Sequence, residues 1–200
     1  PANEGDFLYS LIRSNNFHSC LETGFYTGST ALYLSAAVSD RGGKVVSICL
    51  DDDEKVERGL RLLQTEGYTN CHRLIRKNSN IVLPQFFLSG ERFDFILMDG
   101  WKTFDHLAFE IYLFNKLLNY GGVIAFDDSD MPSVRKVIRL LKFYYGYEEV
   151  DYTLHNQTLR LRLFHLLTCR SIHRPYRAFT KTVKTKEQLP FQDWHFYRKI

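Results

Sequence analysis

The chain has 200 residues and a mass of 23.5 kDa, and its 44% hydrophobic content is enough for one full core, which excludes a mainly disordered chain. Its 16 Phe, 12 Tyr and 2 Trp against 5 Pro exclude a low-complexity or collagen-like polymer, and no apolar run approaches the roughly 18 residues of a membrane span. A formal charge of +3 is too small to argue for a nucleic-acid partner, although it is unevenly spread: residues 1–150 hold 16 Lys and Arg against 20 Asp and Glu, the last fifty 10 against 3.

A first helix is expected at Glu4 to Ser14, with Phe7, Leu8, Leu11 and Ile12 on one face. Strand one follows at Ser19 to Thr23, then a helix from Ser29 to Ser39, and strand two at Lys44 to Leu50. The helix from Asp53 to Glu66 has an acidic first turn that suits the helix dipole, and it stops at Gly67. Strand three is His72 to Ile75, a short helix covers Ile81 to Leu88, and strand four is Phe93 to Met98. A long helix from Phe104 to Asn119 leads through Gly121 and Gly122 to strand five, Val123 to Phe126. This alternation predicts an α/β fold, a mostly parallel sheet with helices on both faces. After a helix at Ser133 to Phe143 two strand-like segments, Tyr147 to Thr153 and Thr158 to Leu166, follow without a helix between them and read as an antiparallel C-terminal hairpin. From Cys169 onward basic residues and aromatics mix without period. The cysteines at 20, 49, 71 and 169 form no C-x-x-C pair and no disulfide framework, so a reducing, cytoplasmic setting is expected.

In open α/β sheets ligands bind at the carboxyl ends of the strands. Strand one ends in Glu22-Thr23-Gly24-Phe25-Tyr26-Thr27-Gly28-Ser29-Thr30, a glycine turn that lets a ligand approach the backbone and the next helix N-terminus. Its G-x-x-x-G spacing is not the G-x-G-x-x-G of a dinucleotide site, which disfavours a nicotinamide enzyme. An ordinary tight turn is the other reading of two glycines. Asp99 follows strand four, and Asp127 and Asp128 follow strand five, so three carboxylates should meet at one rim. Their mutual repulsion is relieved most simply by a hard divalent cation such as Mg²⁺; the alternative is that Asp127 and Asp128 cap the following helix or turn.

The stretch E-x-G-x-x-x-G-x-x-A from Glu22 to Ala31, preceded by Glu4-Gly5-x-Phe7-Leu8 and followed by Asp99-Gly100-Trp101-Lys102 and Asp127-Asp128, resembles class I S-adenosylmethionine-dependent O-methyltransferases, especially the cation-dependent catechol and caffeoyl-CoA type and bacterial relatives. The resemblance runs from about Glu4 to Phe143 and implies a Rossmann-like three-layer α/β/α sandwich. Residues 1–168 then form the methyltransferase domain, and 169–200 a basic, aromatic extension packing on the body or on a partner. S-adenosylmethionine is the implied cosubstrate, with Glu22, Gly24, Gly28, Ser29, Thr30, Asp51, Ser79 and Asp99 around it and Mg²⁺ on Asp99, Asp127 and Asp128. The chain departs from the family at Cys49, where an acid usually holds the ribose hydroxyls; Asp51 either substitutes for it or caps a helix together with Asp52 and Asp53. Asn78 stands where relatives often have Asp.

Methyl transfer to oxygen needs the acceptor hydroxyl to lose its proton. Lys102, three residues beyond Asp99, is the candidate general base, although relatives with this pattern look to have His there; a solvated surface charge is its plainer reading. His106 is a second base or a helix-surface residue, and Trp101 a substrate wall or packing. The expected reaction is transfer to a hydroxyl of a small molecule. Its rivals are a cofactor-binding protein without transfer activity and an RNA or protein methyltransferase that uses the basic tail, Arg170 to Lys186; the aromatic tail from Gln188 to Ile200 suggests a homodimer contact.

Overall fold

The computed structural model describes residues 2–51, 53–150 and 176–182. In chain order these form α1 (Ala2–Ser14), β1 (Ser19–Thr23), α2 (Ser29–Val38), β2 (Lys44–Cys49), α3 (Glu54–Thr65), β3 (His72–Arg76), α4 (Ser79–Ser89), β4 (Phe93–Met98), α5 (Phe104–Leu117), β5 (Leu118–Phe126), α6 (Pro132–Tyr145), β6 (Tyr147–Glu149) and β7 (Arg177–Lys181). The strands make one seven-stranded sheet in the order β3-β2-β1-β4-β5-β7-β6. β1 to β5 pair in parallel, while β7 runs antiparallel to both β5 and β6.

Side chains alternate across the pleat, so each central strand feeds two cores. Ile96 and Met98 of β4 and Ile124 and Phe126 of β5 face α4, α5 and α6, where Leu83, Phe114 and Ile138 meet them. Phe95, Leu97, Val123 and Ala125 face the other way, onto Leu8 and Ile12 of α1 and Leu34 and Val38 of α2. A third cluster packs α3 through Val56 and Leu63 against Phe25, Ala31 and Cys49. The result is the expected three-layer α/β/α sandwich. The sheet order reverses between β1 and β4, and there the chain leaves neighbouring strand ends in opposite directions, opening a crevice at their carboxyl ends. Among the described residues no helix is long and apolar enough to cross a membrane.

The expected antiparallel C-terminal strands are present: among the described residues Tyr147–Glu149 is strand, and it pairs with Arg177–Lys181, from the stretch read as an extension. β7 slots between β5 and β6, with Ala178 buried on the α1–α2 face and Phe179 on the α4–α6 face, where its ring meets Phe126 edge-on at 5.7 Å. Polar pairing hides the charges that flank it. Arg177 donates two hydrogen bonds of 2.7 Å to Glu149, and the buried Lys181 ammonium donates to the carbonyls of Asn115 (2.7 Å) and Leu118 (2.8 Å) at the end of α5. Asp52, Thr158 to Leu166, most of the basic stretch 170–186 and the aromatic segment 188–200 lie outside the described residues.

Candidate active site

The glycine turn is built against the strand that carries Asp99. Gly24 has φ +95°, and a Cβ there would lie 2.3 Å from the Asp99 carbonyl oxygen, so only glycine fits. Gly28, at φ 71°, precedes α2 without any side-chain cap, which leaves the first amides of that helix pointing outward beside Ser29. Beneath the turn Glu22 is fully buried and accepts from Thr30 Oγ1 at 2.8 Å and from Ser47 Oγ at 2.6 Å. Burial pushes its carboxyl up to about 7 against the pull of those two hydroxyls. Thr30 therefore holds Glu22, and Glu22 holds the turn.

At the end of β2 the Cys49 thiol is buried and lies 3.9 Å from the exposed Asp51 carboxylate. Asp53 is the helix cap: its carboxylate accepts from the amides of Lys55 (3.0 Å) and Val56 (3.1 Å). Asp51 is left out of that cap. At the end of β3, Asn78 caps α4 through the Asn80 amide at 2.8 Å, and the buried Ser79 hydroxyl lies 3.2 Å from His106 Nε2. His106 in turn meets the fully buried Glu110 at 3.1 Å, which raises its pKa, and Thr23 donates to the same carboxylate at 3.3 Å. The Glu110 link from α5 back to β1 was not foreseen from sequence, because an acid in a helix reads as surface.

Asp99, Asp127 and Asp128 come together as expected, each offering an oxygen within 4.8 Å of the others. Burial and the nearby Asp127 hold the Asp99 carboxyl well above the usual carboxylate range, against the opposing pull of Lys102. The Lys102 ammonium donates to Asp99 Oδ1 at 3.2 Å and sits 3.8 Å from Asp128 Oδ2, with its side chain only 15% exposed. It is part of the cluster and not a solvated charge. Neither aspartate caps α6, whose N-cap is Met131 with no side-chain bond. Asp128 instead takes φ 51° and donates its amide to Asp127 Oδ1 at 2.7 Å, a turn that faces both carboxylates to the crevice. Trp101, between Gly100 and Lys102 in the chain, is 69% exposed.

One more residue reaches this rim: Tyr176, immediately before β7, stands within electrostatic reach of Asp127, Asp99 and Glu4. Nothing in the local pattern around Tyr176 marks it, since its place depends on pairing with β5.

The fold is that of the class I S-adenosylmethionine-dependent methyltransferases. It superposes on the O-methyltransferase TomG from Streptomyces achromogenes, involved in tomaymycin synthesis and solved with S-adenosylmethionine, with a TM-score of 0.65 at 21% identity over 75% of this chain and 72% of that one. An O-methyltransferase from Bacillus cereus, solved with S-adenosylhomocysteine, gives a TM-score of 0.64 at 21% identity over 75% and 73%. In sequence, residues 21–129 match the family described as Methyltransferase domain, and the chain belongs to that family. A caffeoyl-CoA O-methyltransferase of Zinnia elegans is 31% identical over 133 residues, 64% of this chain and 52% of that protein. A flavonoid 3',5'-methyltransferase of Vitis vinifera is 26% identical over 132 residues, 64% and 54%. The chain thus spans about half the length of these curated relatives.

Proposed function

We propose that the protein transfers the methyl group of S-adenosylmethionine to a hydroxyl of a small molecule, with a divalent cation, Mg²⁺ by its preference for oxygen donors, held at Asp99, Asp127 and Asp128. The observation that carries this reading is the abutment of the two half-sites: the Gly24 backbone packs on the Asp99 carbonyl, so the glycine turn and the carboxylate cluster share one wall. The donor set suits the cation, being three carboxylate oxygens within 4.8 Å of one another and one carboxyl driven toward its neutral form. The cradle suits the cosubstrate, with the start of α2 left without a side-chain cap beside a glycine turn whose Gly24 lets the backbone close onto the Asp99 carbonyl.

The cosubstrate supplies an electrophilic methyl group, and a bound cation lowers the pKa of hydroxyls chelated to it. The chain's own residues do the rest. Glu22, locked by Thr30 and Ser47, fixes the turn; Asp51, outside the α3 cap, is available to ribose hydroxyls in place of the missing acid at Cys49, with Ser79 beside the adenine. Lys102 takes the acceptor proton on Nζ as the oxygen lone pair forms the new O–CH₃ bond and the S–CH₃ pair returns to sulfur. The base role requires Lys102 Nζ as the free amine, released from its contacts with Asp99 and Asp128, the carboxylates that would then hold the cation. Trp101 offers a flat wall for an aromatic diol.

Calorimetry tests this with S-adenosylhomocysteine and MgCl₂ on the intact chain and on an Asp99→Asn, Asp127→Asn double variant. Micromolar binding of the nucleoside and a Mg²⁺ heat lost in the variant are the expected results. Nucleoside binding without a metal heat overturns the cation; no nucleoside binding overturns the transferase.

A further inference from the structure

We infer that Tyr176 is a positioning residue for the carboxylate cluster: its phenol holds Asp127 in the orientation that lets it share a divalent cation with Asp99 and Asp128. This rests on the cation reading above. β7 pairs with β5 so that Arg177 lies opposite Phe126, the last pair of the antiparallel ladder, and Tyr176 and Asp127 are the two residues that directly follow that pair on the rim. The ring is half-buried against the cluster that contains Phe7, Leu8, Leu97 and Ala125, which leaves the hydroxyl at the rim with Asp127 as its nearest carboxylate in the sheet. An apolar body packed in a core with a polar tip at a wet rim is the placement tyrosine suits.

The strand that carries Tyr176 is fixed at both ends. Arg177 forks onto Glu149 with two 2.7 Å bonds, and Lys181 is tied to two carbonyls of the α5 terminus. The phenol therefore approaches Asp127 from a rigid frame, opposite in chain terms to the Asp128 amide that already holds Oδ1 at 2.7 Å.

A neutral donor is the chemically apt choice here. It orients an anionic ligand and eases its repulsion from two neighbours without placing a second positive charge beside Lys102, where it would compete with the entering cation. Partners that orient metal ligands commonly contribute a factor of about 10–100 in metal affinity.

The test uses Mn²⁺ as probe on the full chain, read by calorimetry and by electron paramagnetic resonance, for the wild type, Tyr176→Phe and Asp127→Asn. The Phe variant keeps the ring in its apolar seat and removes only the donor. Its Mn²⁺ affinity is expected to fall about tenfold or more while S-adenosylhomocysteine affinity and the melting temperature stay unchanged, and Asp127→Asn is expected to lose the Mn²⁺ signal. Wild-type Mn²⁺ affinity in Tyr176→Phe overturns the role of Tyr176 and leaves the cation reading standing; no Mn²⁺ binding by the wild type overturns both. A second measurement needs no deletion: 3-fluorotyrosine placed at position 176 alone should give a fluorine resonance that moves with Mg²⁺ at the midpoint of the binding heat. A resonance indifferent to Mg²⁺ overturns the proposal.

Discussion

Gly24 shows how little freedom single positions have at this rim. A methyl group there collides with the Asp99 carbonyl oxygen, and φ +95° is closed to other residues. Gly24→Ala is expected to destabilise the fold by about 1–3 kcal/mol from backbone strain alone, and to abolish S-adenosylhomocysteine heat. Urea unfolding of wild-type steepness and midpoint would sink that reading. Lys102→Met separates base from scaffold: cosubstrate and Mn²⁺ binding should survive while methyl transfer to a vicinal diol drops by about 10²–10⁴. A variant that keeps full turnover would dismiss Lys102 as the base. At this scale the sequence was informative wherever chemistry is written next to a strand end, as with Glu22, Gly24, Asp99 and Asp127. It was silent on Tyr176 and on the His106–Glu110 pair, whose meaning comes from partners 49 residues upstream for Tyr176, at Asp127, and from β1 and α4 for the pair.

Among the elements, α3 was legible because Asp53 caps it and its apolar face repeats with helical period, and β4 because Phe93–Met98 is an uninterrupted apolar run. β7 was not legible. Five residues with a charge at each end read as surface, and only the ladder to β5 and the carbonyls of α5 turn them into interior. Lys181 is the element's anchor, 2% exposed, and its removal strands two buried carbonyls. Lys181→Met, which keeps most of the stem, is expected to cost about 2–4 kcal/mol in urea unfolding. A change below about 0.5 kcal/mol, the range of an ordinary surface substitution, would mean that the ammonium is not needed to hold the strand.

For the molecule as a whole, two buried titrating groups joined through Ser47 set opposing pH slopes. His72 Nε2 lies 2.7 Å from Ser47 Oγ, which itself donates to Glu22. Burial raises the Glu22 carboxyl from 4.5 to about 7, so its contribution to stability is complete below pH 4.5 and is lost as pH rises through 7. Burial lowers the His72 imidazole from 6.5 to about 4, so its contribution is complete above pH 6.5 and is lost as pH falls through 4. Glu22→Gln should therefore remove on the order of 3 kcal/mol of the decline between about pH 4.5 and 7 in stability against pH, leaving the opposing slope of His72 and the decline that Asp99 adds. Identical profiles for the two proteins would contradict a buried, titrating Glu22. The strand order also has a meaning in time. β7 is synthesised after both β5 and β6 yet belongs between them, so a nascent chain carries an open β5 edge, with Phe126 lacking the Phe179 ring, from residue 126 until residue 181 has emerged. At ribosomal speeds that interval is about 3–11 s, long enough for a bare strand edge to meet another chain, and the last strand to arrive both closes that edge and delivers the phenol to the rim.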